Sequence, residues 1–127
     1  MNSEILLLPH IKKILNDDTI YNSKNKYSVF DYYSKNLIKC ELKTRNIYSY
    51  SYTTTMISQH KISHCNNPKC QYYFFFEFKD CVKYIKYDKE IFDKYEKKIG
   101  GRYDREKEEY RQYVYIPISE CETYIIN

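Results

Sequence analysis

The chain of 127 residues allows one domain, 1–127, and not two, and it can bury roughly two thirds of the surface its unfolded form exposes. With 21 Lys and Arg against 17 Asp and Glu it carries a formal +4, which excludes a histone-like polycation. No apolar run approaches the roughly 18 residues of a membrane span, and 43% hydrophobic content with 18% aromatic excludes a disordered chain.

Ala and Trp are absent, Gly occurs twice and Arg four times, against 17 Lys, 17 Tyr and 15 Ile. Codons rich in A and T have displaced those rich in G and C. Single Tyr, Lys or Asn residues therefore carry little meaning alone. Ile5-Leu6-Leu7-Leu8 follows Glu4 without a basic stretch or a small-residue cleavage site, so it does not read as a secretory signal. The five cysteines (40, 65, 70, 81, 121) are odd in number and irregularly spaced, which fits reduced thiols in a reducing intracellular compartment.

In chain order, residues 3–16 place Ile11, Ile14 and Leu15 on one stripe after Leu7 and Leu8, the spacing of a helix. Pro9 fits a first helical turn, so the start falls at Ser3 or near Leu8. Asn22 to Lys26 reads as a polar loop. Tyr27–Tyr33 and Leu37–Thr44 alternate around the turn-like Ser34-Lys35-Asn36, a β-hairpin. Ile47–Tyr52 reads as extended chain. Thr53-Thr54-Thr55 offers an N-cap for a helix over Met56–His64. The nearly all-aromatic Gln71–Lys79 reads as a central strand buried on both faces, turning at Lys79-Asp80 into Cys81–Tyr87. Asp88 caps a helix to about Lys98, with Gly100 as its C′ residue. Arg102–Arg111 is a charge run expected as solvated loop or exposed helix. Tyr113–Ile118 is a last strand that Pro117 confines to an edge or an end. The order predicts an α/β (α+β) fold on one mixed sheet flanked by helices.

On a strand, residues two apart share a face. Glu41 and Lys43 then point one way and Ile38, Cys40 and Leu42 the other. Phe30 and Tyr32 match the apolar set, which leaves Asp31 with Glu41 and Lys43. For Asp31 to stand opposite Glu41, paired residue numbers in the hairpin must sum to 72, so the loop between paired strands must be odd. Two close carboxylates repel unless a cation joins them, and hard oxygen ligands suit Mg²⁺ or Mn²⁺. The bland alternative is a solvent face with a cross-strand ion pair, worth at most ~1 kcal/mol.

The stretch FDYY–IKCELKTR, with a helix before it and TTTMISQHKI and YYFFFEFKDCVKYIKYD after it, resembles the PD-(D/E)XK nuclease superfamily, the restriction-endonuclease-like fold, in its small viral and phage members. The resemblance covers about residues 27–95, with a final strand at YVYIPI. It implies Asp31 and Glu41 as metal ligands with the backbone carbonyl of Leu42, Lys43 as the catalytic lysine and Lys61 as a supporting basic residue. Glu4 is the one candidate for the acid that many members carry on the first helix. Phe30 stands where many members have proline. The implied protein is a Mg²⁺- or Mn²⁺-dependent nuclease, of DNA rather than RNA, in a host cytoplasm or a virion, with a homodimer left open. The alternative is a catalytically inactive nucleic-acid-binding or structural protein on the same fold.

Two further features bear on function. His60, His64, Cys65 and Cys70 fall within 11 residues and could bind zinc, but their spacing matches no common zinc framework. Lys12, Lys13, Lys24, Lys26, Lys35, Lys39 and Arg45 surround the Asp31–Lys43 stretch in sequence, where phosphates need neutralising.

Overall fold

The computed structural model describes residues 2–102 and 109–126. Helix α1 (Ser3–Leu15) is capped by Asn2, whose side chain accepts the Glu4 N–H at 2.8 Å, and ends at Asn16 in the left-handed conformation. It starts at Ser3, so Pro9 lies inside the helix and not in its first turn. The missing N–H costs one helical bond, at an exposed position. Leu7 and Ile11, one turn apart, are the fully buried positions of its apolar stripe.

Short strands β1 (Tyr21–Asn22) and β2 (Tyr32–Tyr33) lead to β3 (Ile38–Thr44). The first strand of the expected hairpin is thus two residues long, and β1 begins the segment read as a polar loop. The register follows the required sum: Tyr32 pairs with Cys40 and Tyr33 with Lys39, and Ser34 N–H donates to the Ile38 carbonyl at 3.0 Å. Leu37 absorbs the odd residue at a φ of 61°. A glycine would take that conformation without strain.

Residues 47–52 form turns, not the expected extended chain. The segment read as a helix from Met56 is divided. Thr54–Ser58 is strand β4, and only Gln59–Ser63 forms helix α2, capped by Ser58 and not by the three threonines. The alternation of buried Thr55 and Ile57 is a strand period, and the later strand β8 supplies its partner. Strands β5 (Gln71–Glu77) and β6 (Val82–Lys86) follow as expected. Helix α3 is cut short at Lys89–Phe92, because the chain extends again as β7 (Lys97–Arg102) to pair with β8 (Glu109–Pro117). Gly100 lies inside β7 and caps no helix. Most of the charge run lies outside the described residues. Pro117 ends β8; a 3-10 turn (Ile118–Glu120) and strand β9 (Glu122–Tyr124), absent from the sequence reading, complete the chain.

The strands form two sheets where one was expected. The larger is mixed, in the order β1-β2-β3-β5-β6-β9, with β3 and β5 parallel from Ile38–Gln71 to Thr44–Glu77. The smaller is antiparallel, in the order β4-β8-β7. β5 is interior to the larger sheet, and Phe74, Phe75 and Phe76 are fully buried on alternating sides. Phe75 packs with Leu42, Cys40, Tyr32, Leu7 and Ile11 under α1. Phe74 and Phe76 pack with Ile57, Ile62, Val114 and Ile116 of the β4–α2–β8 layer. The large sheet is therefore covered on both faces. Burying rings of this size is the dominant favourable term for a chain of this length.

Candidate active site

Strand register decides what the middle of β3 presents. Cys40 and Leu42 face α1, while Glu41 and Lys43 pair with Phe74 and Phe76 on the face toward the second layer. Burial does the rest. Glu41 is 4% exposed, an acidic side chain inside the molecule. The expected charged face is thus no solvent face, because α2 closes over it and brings Lys61.

Glu41 Oε2 is met by Lys43 Nζ at 3.4 Å and by Lys61 Nζ at 3.3 Å. Its other oxygen, Oε1, is buried and receives no N–H or O–H among the described residues. The Asp31 carboxyl stands close enough to bond with Glu41 once one of the two acids holds a proton, but two ionised carboxylates there repel. Burial first and Asp31 second push Glu41 up to about 7, against the pull of Lys61 and Lys43.

Asp31 lies just before β2, and its N–H donates to the Cys40 carbonyl at 3.0 Å, one residue out of the sum-72 register, so Asp31 is not the ladder partner of Glu41. Its Oδ2 accepts the Leu42 N–H at 2.7 Å, so the side chain replaces the backbone acceptor that a longer β2 would offer. On an extended strand the N–H and C=O of one residue point to the same edge. The Leu42 carbonyl therefore shares the edge on which Asp31 stands.

Lys61 is held as well as holding. Its ammonium donates to the Val29 carbonyl and lies over the Phe30 ring at 5.7 Å. Phe30 in turn packs on Tyr72. This places Phe30 on the Glu41 side and corrects its assignment to the apolar set of Tyr32, Cys40 and Leu42. The reason is that β2 begins only at Tyr32, so strand alternation does not bind Phe30. Glu4 reaches the site through one intermediary: Asn22 Nδ2 donates to Glu4 Oε1 and to the Asp31 carbonyl, both at 2.9 Å. No sequence pattern signals Asn22. Glu4 and Asp31 line one cleft of about 530 Å³ whose rim includes Lys24 and Lys26.

The structure thus brings Asp31, Glu41, Lys43 and Lys61 together, with Glu4 one side chain away. The set fits a hard divalent cation in chemistry: two carboxylates, a carbonyl on the same edge, and a buried carboxylate oxygen without a donor. Among the described residues it offers only two acids in direct reach, and no three of His, Cys, Asp and Glu cluster as a metal site. That also separates the zinc quartet. His60 and His64 stack edge to face at 5.0 Å, and burial pushes the Cys65 thiol up to about 12.

A mixed sheet with a hairpin at its edge, flanked by helices and a second small sheet, is restriction-endonuclease-like. The chain matches the family model described as "Phage putative PDDEXK endonuclease" over residues 18–124, and it belongs to that family. At the level of the family it is a nuclease. No curated protein and no solved structure matches the chain.

Proposed function

We propose that this protein is a divalent-metal-dependent endonuclease that hydrolyses phosphodiester bonds in DNA, with Asp31, Glu41 and the Leu42 carbonyl as ligands of Mg²⁺ or Mn²⁺. The observation that carries the reading is the buried Glu41: both lysines take Oε2, and among the described residues Oε1 has no donor beside Asp31. An acid kept at such cost in a protein interior answers to chemistry better than to stability. The bound metal would supply a hydroxide nucleophile at neutral pH and neutralise phosphate charge.

The chain's own groups divide the remaining work. Lys61 pins Glu41 from the α2 side and ties it to the Val29 carbonyl, two residues before Asp31, so one ammonium positions both acids. Lys43 is the more exposed of the two lysines, at 39% against 21%, and can turn its ammonium toward a phosphoryl oxygen while keeping Glu41 within reach. Asp31 is fixed by the Leu42 N–H, which fills one oxygen and leaves the other for a ligand. The exposed Lys24, Lys26 and Lys35 offer charge for the flanking phosphates.

The test is direct. Purified protein is incubated with supercoiled plasmid and with branched, duplex and single-stranded oligonucleotides in Mg²⁺, Mn²⁺ or EDTA. Cleavage that EDTA abolishes supports the reading; folded protein that cuts no DNA with either metal refutes it.

A further inference from the structure

Residues 45–53 leave the C-terminal end of β3 just after Lys43. At that end of a parallel pair, ligands of open sheets commonly bind. The segment is pinned, not loose. Arg45 N–H donates to the Glu77 carbonyl at 2.8 Å, and Lys79 N–H to the Ile47 carbonyl at 2.9 Å. Ser49 donates its N–H and its hydroxyl to the two Asp80 oxygens at 2.7 and 2.6 Å. Ser51 N–H closes a turn on the Tyr48 carbonyl at 3.0 Å.

What this rigid segment displays is aromatic. Tyr48, Tyr50 and Tyr52 alternate along it at 45%, 77% and 68% exposure. The Tyr48 and Tyr50 rings stack, 5.3 Å between centroids at an interplanar angle of 15°. The exposed Lys79 ammonium stands over Tyr48 at 5.6 Å, and Ser49 already occupies the nearby Asp80 carboxylate. Tyr52 lines a cavity of about 310 Å³ with Ile47, Met56, Phe78 and Ile118. Codon bias explains why tyrosine is frequent, but not why three are held outward on a segment this well fastened.

We propose that the Tyr48-Tyr50-Tyr52 segment is a stacking platform for unpaired bases, and that the substrate carries a single-stranded stretch beside the bond to be cut. An exposed, flat, ordered pair of rings has one free face for a base, every base has a π-face to offer, and Lys79 supplies a counter-charge for its phosphate. A duplex keeps its bases stacked on one another and cannot use the platform. Tyr48 follows Lys43 by five positions, so backbone length alone keeps their Cα atoms within ~18 Å. One strand can therefore span both. The proposal rests on the nuclease reading for the role of the strand, not for its binding.

The experiment is a binding titration of full-length protein in EDTA, with a fluorescein-labelled oligothymidylate and a labelled duplex of equal length as probes. The expected result is tighter binding of the single strand, weakened about tenfold in Tyr50→Leu and in Tyr48→Leu. Tyr50→Phe should bind as wild type because the ring remains. The salt dependence should keep its slope in Tyr50→Leu and lose about 0.7 of a unit in Lys79→Ala. Unchanged affinity in both leucine variants, or equal affinity for the duplex, would overturn the proposal. Cleavage plays no part in this readout: a protein that binds through these rings but cuts nothing would end the nuclease reading and, with it, the strand's role as substrate, while upholding the platform as a single-strand binding surface.

Discussion

Lys61 Nζ of α2 and Oε2 of Glu41 in β3 meet at 3.3 Å, joining the smaller layer of the molecule to the interior of the larger sheet. The same ammonium reaches the Val29 carbonyl and so steadies the approach to Asp31. Lys61→Met removes a cation that holds the Glu41 carboxyl down, so that carboxyl should rise above its present value of about 7. The acid limb of the rate–pH profile should move to higher pH, and metal affinity at pH 7 should fall. Lys61→Arg, which keeps the charge, should shift the limb less. A profile unmoved in Lys61→Met would separate Lys61 from the site.

Glu41→Gln should raise the stability of the metal-free protein at pH 8 while removing activity. Glu41 ionises near its ordinary value of 4.5 in the unfolded chain and at about 7 when folded. The folded state therefore holds the extra proton between those values, and wild-type stability falls as pH rises through that window. The full penalty, on the order of 3 kcal/mol, is present above 7 and absent below 4.5. Urea melts of both proteins in EDTA should show a gap at pH 8 that closes as pH falls toward 4.5. A variant less stable than wild type at pH 8 would mean that the lysine pairs outweigh burial and repulsion.

Leu37→Gly should stabilise the fold by about 0.5–1 kcal/mol. Leu37 is half exposed and sits at a φ of 61°, where a Cβ is strained and little packing is lost with the side chain. Thermal melts check the sign. A loss of stability would show that the leucine packs better in solution than its exposure implies.

Phe75→Ala should cost about 3–5 kcal/mol, the range for emptying a ring-sized site in a closed core. Phe75 has no exposed surface and packs under α1 from the strand beside the one that carries Glu41. A denaturant midpoint close to that of wild type would contradict the packing described.

The fold is legible in the sequence where one physical constraint dominates. The aromatic run at 71–77 cannot face water, so β5 had to be interior. The sum of 72 followed from strand parity, and Leu37 supplies the odd residue. The shared face of Glu41 and Lys43 followed from the same parity. Errors arose where the partner was distant. Thr54–Ser58 looks like a capped helix until β8, more than fifty residues on, pairs with it. Lys97–Arg102 likewise extends only because β8 offers an edge. Helix α2, carried by that second layer, buries Glu41 where the alternative to a metal site was a solvent face, and no local pattern announces it. For the same reason Phe30 was misassigned: its place depends on Lys61 and Tyr72, which are far along the chain.

Titrating Mn²⁺ calorimetrically into wild type, Glu41→Gln and Lys43→Ala, with cleavage measured on the same samples, separates a metal-binding role of Glu41 from a phosphate-directed role of Lys43. Wild type should bind and cut, and Lys43→Ala should bind but not cut, since an ammonium is no ligand. Glu41→Gln should do neither, because an amide keeps the shape and loses the charge. Folded wild-type protein that binds no metal and cuts neither DNA nor RNA would mean that Asp31 and Glu41 form no metal site and that the protein is no nuclease.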